Sequence, residues 1–155
     1  MAEVQQPQPV FTIEKIYVKD LSAEVPNAPQ VFLEREAPRV DIQLSTEAKP
    51  IDDGHYDVTL SVTATALLQD KTIFLVETKQ AGIFQVRNIP KESLDLVLSI
   101  TCPNILFPYA RETVSDSIAR CGFPPFLLAP VNFEALYQQR MQQQPGQAAP
   151  ATTTH

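Results

Sequence analysis

Tryptophan is missing from the 155-residue chain, glycine occurs only four times, and histidine and cysteine twice each. With so little glycine there is no glycine-rich phosphate cradle, and none of the four sits in such a motif. One histidine is the final residue and the other, His55, lies in a turn, so neither cysteine has a base beside it to activate a nucleophile. His55 does stand near Asp52, Asp53 and Asp57. Hairpin turns, however, collect Asp, Gly and His for conformational reasons, and an oxygen-ligated cation needs more ligands at fixed spacing. Cys102 and Cys121 read as small, half-buried apolar side chains rather than a disulfide staple. The expectation is a protein that is not an enzyme and needs neither metal nor cofactor.

Positive charge is scarce as well. Twelve Lys and Arg against eighteen Asp and Glu leave a net charge of −6. Nucleic acid is therefore an unfavourable main ligand, because phosphate backbones are held by clustered Lys and Arg. A basic partner is the better electrostatic match. No apolar run reaches the roughly 18–20 residues of a membrane span, so membrane insertion is not expected. The opening MAEVQQPQPV lacks both the basic and the apolar region of a secretion signal. A cytosolic location is therefore expected.

What is abundant is proline, fourteen of them, in a chain that is 44% hydrophobic. They fall mostly between periodic segments and stiffen the connections. Residues 1–9 and 144–155 read as disordered polar tails around a single domain, 10–143. VFTIEKIYVKD (10–20) reads as a strand whose alternation slips near Glu14-Lys15, the mark of a bulge. RVDIQLS (39–45) alternates cleanly, with Val40, Ile42 and Leu44 inward. Asp53-Gly54 marks a hairpin. In the strand 55–68 the even positions Tyr56 to Leu68 share one face, with Thr and Ser opposite. The strand 72–86 runs back, and hairpin pairing puts Ile73 and Leu75 on the Thr/Ser face. Helical spacing begins at 91. Pro103 is expected to kink the helix, with Asn104 capping a fresh start and Gly122 ending it. Asn132 caps a short last helix, with Val131 and Leu136 placed as a hydrophobic staple.

Two connectors are too apolar for surface loops and too rich in proline for core elements. One carries Val25, Pro26, Pro29, Val31 and Phe32, read as an extended crossover. The other carries Phe126, Leu127, Leu128 and Val131. Rigid apolar loops suit a groove that binds many extended segments, because their ordering entropy is lost in advance. Leu106 and Phe107 of the kinked helix, with Leu136 and Tyr137 of the last one, complete the candidate lining. The competing reading is an oligomeric scaffold whose connectors are sealed at subunit contacts.

The blocks IYVKDLSAEVPNAPQVF, GIFQV, CPNILFPYARE and LAPVNFEALY, in that order and spacing from Phe11 to Tyr137, closely resemble the SecB family of bacterial protein-export chaperones. Ala23 departs from the family pattern, where an aromatic is expected. The resemblance implies an α+β subunit with a four-stranded antiparallel sheet, a long kinked helix and a short C-terminal helix, assembled as a dimer-of-dimers homotetramer. It also implies binding of unfolded precursor polypeptides in apolar grooves and delivery to the SecA ATPase. By position, Asp20, Glu24, Leu75 and Glu77 match the sheet surface that faces SecA, and the helix after Asn132 matches a second contact. The zinc of that system belongs to SecA, so none is implied here.

Overall fold

The computed structural model describes residues 7–143. The tails at 1–6 and 144–155 lie outside the described residues. Four strands form one antiparallel sheet: β1 (Val10–Glu24), β2 (Arg39–Asp52), β3 (His55–Leu68) and β4 (Lys71–Arg87), in the order β1-β4-β3-β2. Three helices follow: α1 (Lys91–Leu96), α2 (Cys102–Arg120) and α3 (Phe133–Gln142). The α+β architecture with a long helix and a short C-terminal one agrees with the sequence reading.

The two central strands are built by alternation. Val58, Leu60, Val62, Ala64 and Ala66 of β3 are completely buried on one face, beside Phe74, Val76 and Phe84 of β4. Gly54 closes the β2–β3 hairpin at φ 83°, where the Arg87 guanidinium lies over it and donates to the Asp53 carbonyl at 2.7 Å. Two details differ from expectation. β2 runs beyond Ser45 to Asp52, through Pro50. A proline is tolerated there because β2 is an edge strand and lacks a partner on one side. Ile73 sits at a register shift between Ala66 and Leu67, and the extra residue packs in the core instead of on the Thr/Ser face.

β1 shows why its pattern slips. Register shifts fall between Ile13 and Lys15, as the sequence suggested, and again between Val18 and Asp20. Each inserts one residue. As a result Phe11, Ile13, Ile16, Val18 and Leu21 all stand on the core face, opposite Val86, Phe84, Gly82, Gln80 and Thr78. Asp20, Ser22 and Glu24 are turned to the other face.

The helix is continuous from Lys91 to Arg120, with a π turn at Val97–Thr101 between α1 and α2. Asn104 therefore caps no new start; it is exposed inside α2. The π turn widens the backbone just ahead of Pro103, whose ring and missing N–H disturb the preceding turn. Gly122, at φ 93°, ends the run, and the Phe123 amide donates back to the Ile118 carbonyl at 3.3 Å. By length and composition alone this helix is apolar enough to cross a membrane, with mean hydropathy 1.2. Here Leu106, Ala110, Val114 and Ile118 form its buried stripe, laid against β3 and β4.

Width decides what remains. Four strands span about 19 Å, and a helix with side chains about 10 Å. α2 covers the middle of the core face and leaves apolar residues of both flanking strands for something else.

A close approach inside the sheet gives the first prediction. A Cβ at Gly82 would stand 2.8 Å from the Phe84 ring and 3.1 Å from the Lys15 carbonyl. Gly82→Ala should destabilise the fold by about 1–3 kcal/mol, as overpacking does. Urea unfolding followed by circular dichroism measures it, and an unchanged midpoint would mean that β1 gives way freely.

Candidate functional site

On the β2 flank the uncovered surface becomes a groove of about 590 Å³. Val40, Ile42 and Leu44 of β2 form one wall, Phe107 and Leu128 line the interior, and Phe133, Leu136 and Tyr137 of α3 form the other wall. α3 stands there for local reasons. The Asn132 side chain accepts from the Ala135 amide at 3.0 Å, and Val131 and Leu136 are both half-buried in the staple positions. Phe133 is the buried anchor, edge-on to Phe107 with ring centres 6.1 Å apart. Farther along, the Tyr137 hydroxyl donates to Asp95 at 2.6 Å, and Arg140 donates to Thr46 of β2 at 3.3 Å. The bond to Asp95 raises the Tyr137 phenol above its ordinary value, so it stays protonated. Among the lining residues only Arg140 is charged. Such a surface offers apolar contacts and few polar groups.

Of the candidate groove residues, Phe107, Phe126, Leu128, Val131, Leu136 and Tyr137 meet here. The others do not. Leu106 is fully buried under α2, one position round the helix from Phe107, and belongs to the core. Val31 is 4% exposed and also belongs to the core. Val25 packs half-buried against that core, and Pro26 borders a separate polar hollow with Asn27, Glu34 and Glu36. Pro29 is exposed and leads into a one-turn 3-10 helix, Gln30–Leu33, which corrects the extended reading of this crossover. Phe32 is 48% exposed and stacks on Phe123 with centres 5.1 Å apart, outside the groove. Leu127 is 73% exposed and points away from the cavity. Sequence reading missed the β2 wall. Its alternation shows that Val40, Ile42 and Leu44 face inward, and only the short reach of α2 leaves them uncovered.

The opposite sheet face collects the acidic candidates. Glu24 pairs with Leu75, which pairs with Thr65. In the next row Ser22, Glu77 and Thr63 stand side by side, and Asp20 faces Lys79 in the row after that. Asp20, Glu24 and Glu77 are exposed and Leu75 is half-buried. Paired residues share a face, so the four lie together on a flat surface.

Neither cysteine is prepared as a nucleophile. Burial pushes the Cys102 thiol up to about 12 and raises that of Cys121. Both cysteines are free, and Cys102 is fully rather than half buried. His55 is occupied by Asp52 at 2.6 Å. Among the described residues no group of three His, Cys, Asp or Glu stands close enough to hold a metal ion.

The family model for preprotein translocase subunit SecB matches residues 4–144. The chain belongs to the SecB family. A SecB protein-export protein of Chromobacterium violaceum is 64% identical over 144 residues, 93% of this chain and 96% of that one. Another, of Methylobacillus flagellatus, is 58% identical over 154 residues, 99% of this chain and 97% of its own. A third, of Dechloromonas aromatica, is 60% identical over 95% of each chain. Among solved structures, a SecB-like chaperone of Mycobacterium tuberculosis, in complex with a ChAD peptide from the HigA1 antitoxin, superposes with a TM-score of 0.62. It is 22% identical and covers 78% of this chain and 90% of its own, which shows the shared fold. As a member of the SecB family the protein is a chaperone of protein export and not an enzyme.

The thiols of this SecB-family chain supply a direct check on the burial scheme. Iodoacetamide at pH 8 should modify Cys121 slowly and leave Cys102 untouched until denaturant is added, because only the thiolate reacts. Mass spectrometry of the labelled peptides reads this out, and fast labelling of Cys102 in the native protein would contradict it.

Proposed function

We propose that this protein holds unfolded export precursors in the groove between β2 and α3, keeps them competent for translocation and passes them to the SecA ATPase. The observation that carries the reading is the open apolar groove in a chain of the SecB family. The peptide complex of the related Mycobacterium tuberculosis chaperone supports it. Clients are non-native because apolar stretches are exposed only in unfolded chains, and binding them opposes folding by mass action. Each client CH₂ buried contributes about 0.8 kcal/mol, so several shallow contacts suffice without sequence readout.

Assembly is part of the proposal. Phe11, Ile13, Val18 and Leu21 are each 42–47% exposed along the core face of the edge strand β1. An apolar row on an unpaired edge calls for a partner, and a second copy of the chain is the one proposed, building toward a homotetramer. Repeated grooves then raise avidity for one long client. The acidic face with Asp20, Glu24, Leu75 and Glu77 receives basic groups of SecA. Any zinc involved is carried by SecA, and the complex works in the cytosol without inserting in the membrane or binding nucleic acid.

Client capture is tested by a pair of variants. Phe126→Ser, in the groove, should shorten the delay in refolding of an export precursor severalfold while the unfolding midpoint stays near wild type. Leu106→Ala, in the core, should cost about 2–5 kcal/mol of stability and leave capture intact at low temperature. Capture unaffected by Phe126→Ser, with the particle intact, would favour a scaffold without clients.

Release is tested separately. Reversing Asp20, Glu24 and Glu77 to Lys should abolish SecA binding in calorimetry and leave precursor binding unchanged, and the wild-type association should weaken as salt is raised. Equal loss of both ligands would mean the acidic face is not the partner surface.

A further inference from the structure

The outer sheet face carries a side-chain cluster that neither the groove nor the acidic patch uses. Lys19 is the residue inserted between Val18, which pairs with Gln80, and Asp20, which pairs with Lys79. It has no cross-strand neighbour of its own. Its ammonium instead reaches across β4 to β3, where it bonds the Asp57 carboxylate and, at 2.9 Å, the Thr59 hydroxyl. The other Asp57 oxygen accepts from the Tyr17 hydroxyl at 2.7 Å. Tyr17, just before the register shift, and Lys19, the residue inserted at it, are thus tied to one carboxylate two strands away. Tyr17 and Lys19 hold their protons more firmly than usual, Tyr17 chiefly through burial and Lys19 chiefly through its bond to Asp57.

The consequence for the neighbouring patch follows from the period of a strand. A slip of one residue exchanges the faces of everything beyond it. Without the insertion at Lys19, Asp20, Ser22 and Glu24 would continue on the face of Val18, and Leu21 would leave it. With the insertion, Asp20 and Glu24 stand beside Lys79 and Leu75. Bulged edge strands re-aim side chains in this way, and the bulge persists only if something holds the extra residue.

We propose that Lys19 and Asp57 are positioning residues for partner recognition: their bond across β4 fixes the bulge that turns Asp20 and Glu24 outward to SecA. This rests on the acidic-face reading above and adds the device that orients it. Charge separates the two roles. Lys19→Met makes the face more negative, so simple attraction to a basic partner predicts tighter binding, whereas loss of position predicts weaker binding.

Calorimetry of the assembled full-length protein with SecA tests this, with the Asp20, Glu24 and Glu77 reversal as reference. Lys19→Met should weaken SecA binding about tenfold, Lys19→Arg should restore it, and precursor binding should stay unchanged in both. In the same Lys19→Met protein, amide exchange should quicken along residues 19–24 and remain as in wild type along β3. If Lys19→Met binds SecA as tightly as wild type or more tightly while the reference variant loses binding, the positioning role is overturned and the acidic-face reading stands. If the reference variant binds like wild type, that reading fails and takes this one with it. Unchanged exchange along 19–24 would likewise overturn the role.

Discussion

One helix cannot cover four strands. That mismatch of width governs the molecule, because apolar residues of the core face reach both edges of the sheet while α2 shields chiefly β3 and β4. Each flank keeps inward-facing apolar side chains that α2 leaves partly uncovered. On the β2 side α3 and its connector stand off from the sheet and enclose a trough. On the β1 side, among the described residues, Phe11, Ile13, Val18 and Leu21 of that row stay 42–47% exposed. The same insufficiency leaves the two surfaces proposed above, one for clients and one for copies.

Rigid placement of the trough depends on how α3 is fastened. Only Phe133 is buried in that helix, so most of its turns are held by contacts at its ends and sides. The Asn132 cap and the Phe133–Phe107 contact fix its start, and bonds from Tyr137 and Arg140 tie it to α1 and β2. A wall with one buried anchor belongs to the less stable part of a fold, which suits the site proposed for long, varied chains. Proline in the preceding connector limits how far the backbone can collapse into the empty groove.

Much of this was legible beforehand. The even positions of β3 announced a buried face, the slip at Glu14-Lys15 announced a bulge, and Asn132 with Val131 and Leu136 announced the last helix start. The family resemblance was readable from long blocks of sequence, and the family match agrees. Other features left no local signal. The π turn gave no signal in the residue types, so Pro103 looked like a kink with a fresh start at Asn104, when the backbone had widened ahead of that ring. Pro50 made β2 look short because its edge position could not be known. Leu106 and Phe107 are adjacent, equally apolar and both buried, and only the phase of α2 against the sheet lets Phe107 also line the trough. Alternation says which way a side chain points, and says nothing of what lies above it; hence the missed wall of Val40, Ile42 and Leu44.

The claim that the two uncovered flanks have separate uses is tested most directly by hydrogen exchange on the assembled protein, with and without a saturating unfolded precursor. The account predicts that residues 40–46 and 126–140 gain protection when the precursor is added, while β1 is already protected without it and does not change. Protection gained along β1, with β2 and α3 exchanging as before, would contradict it.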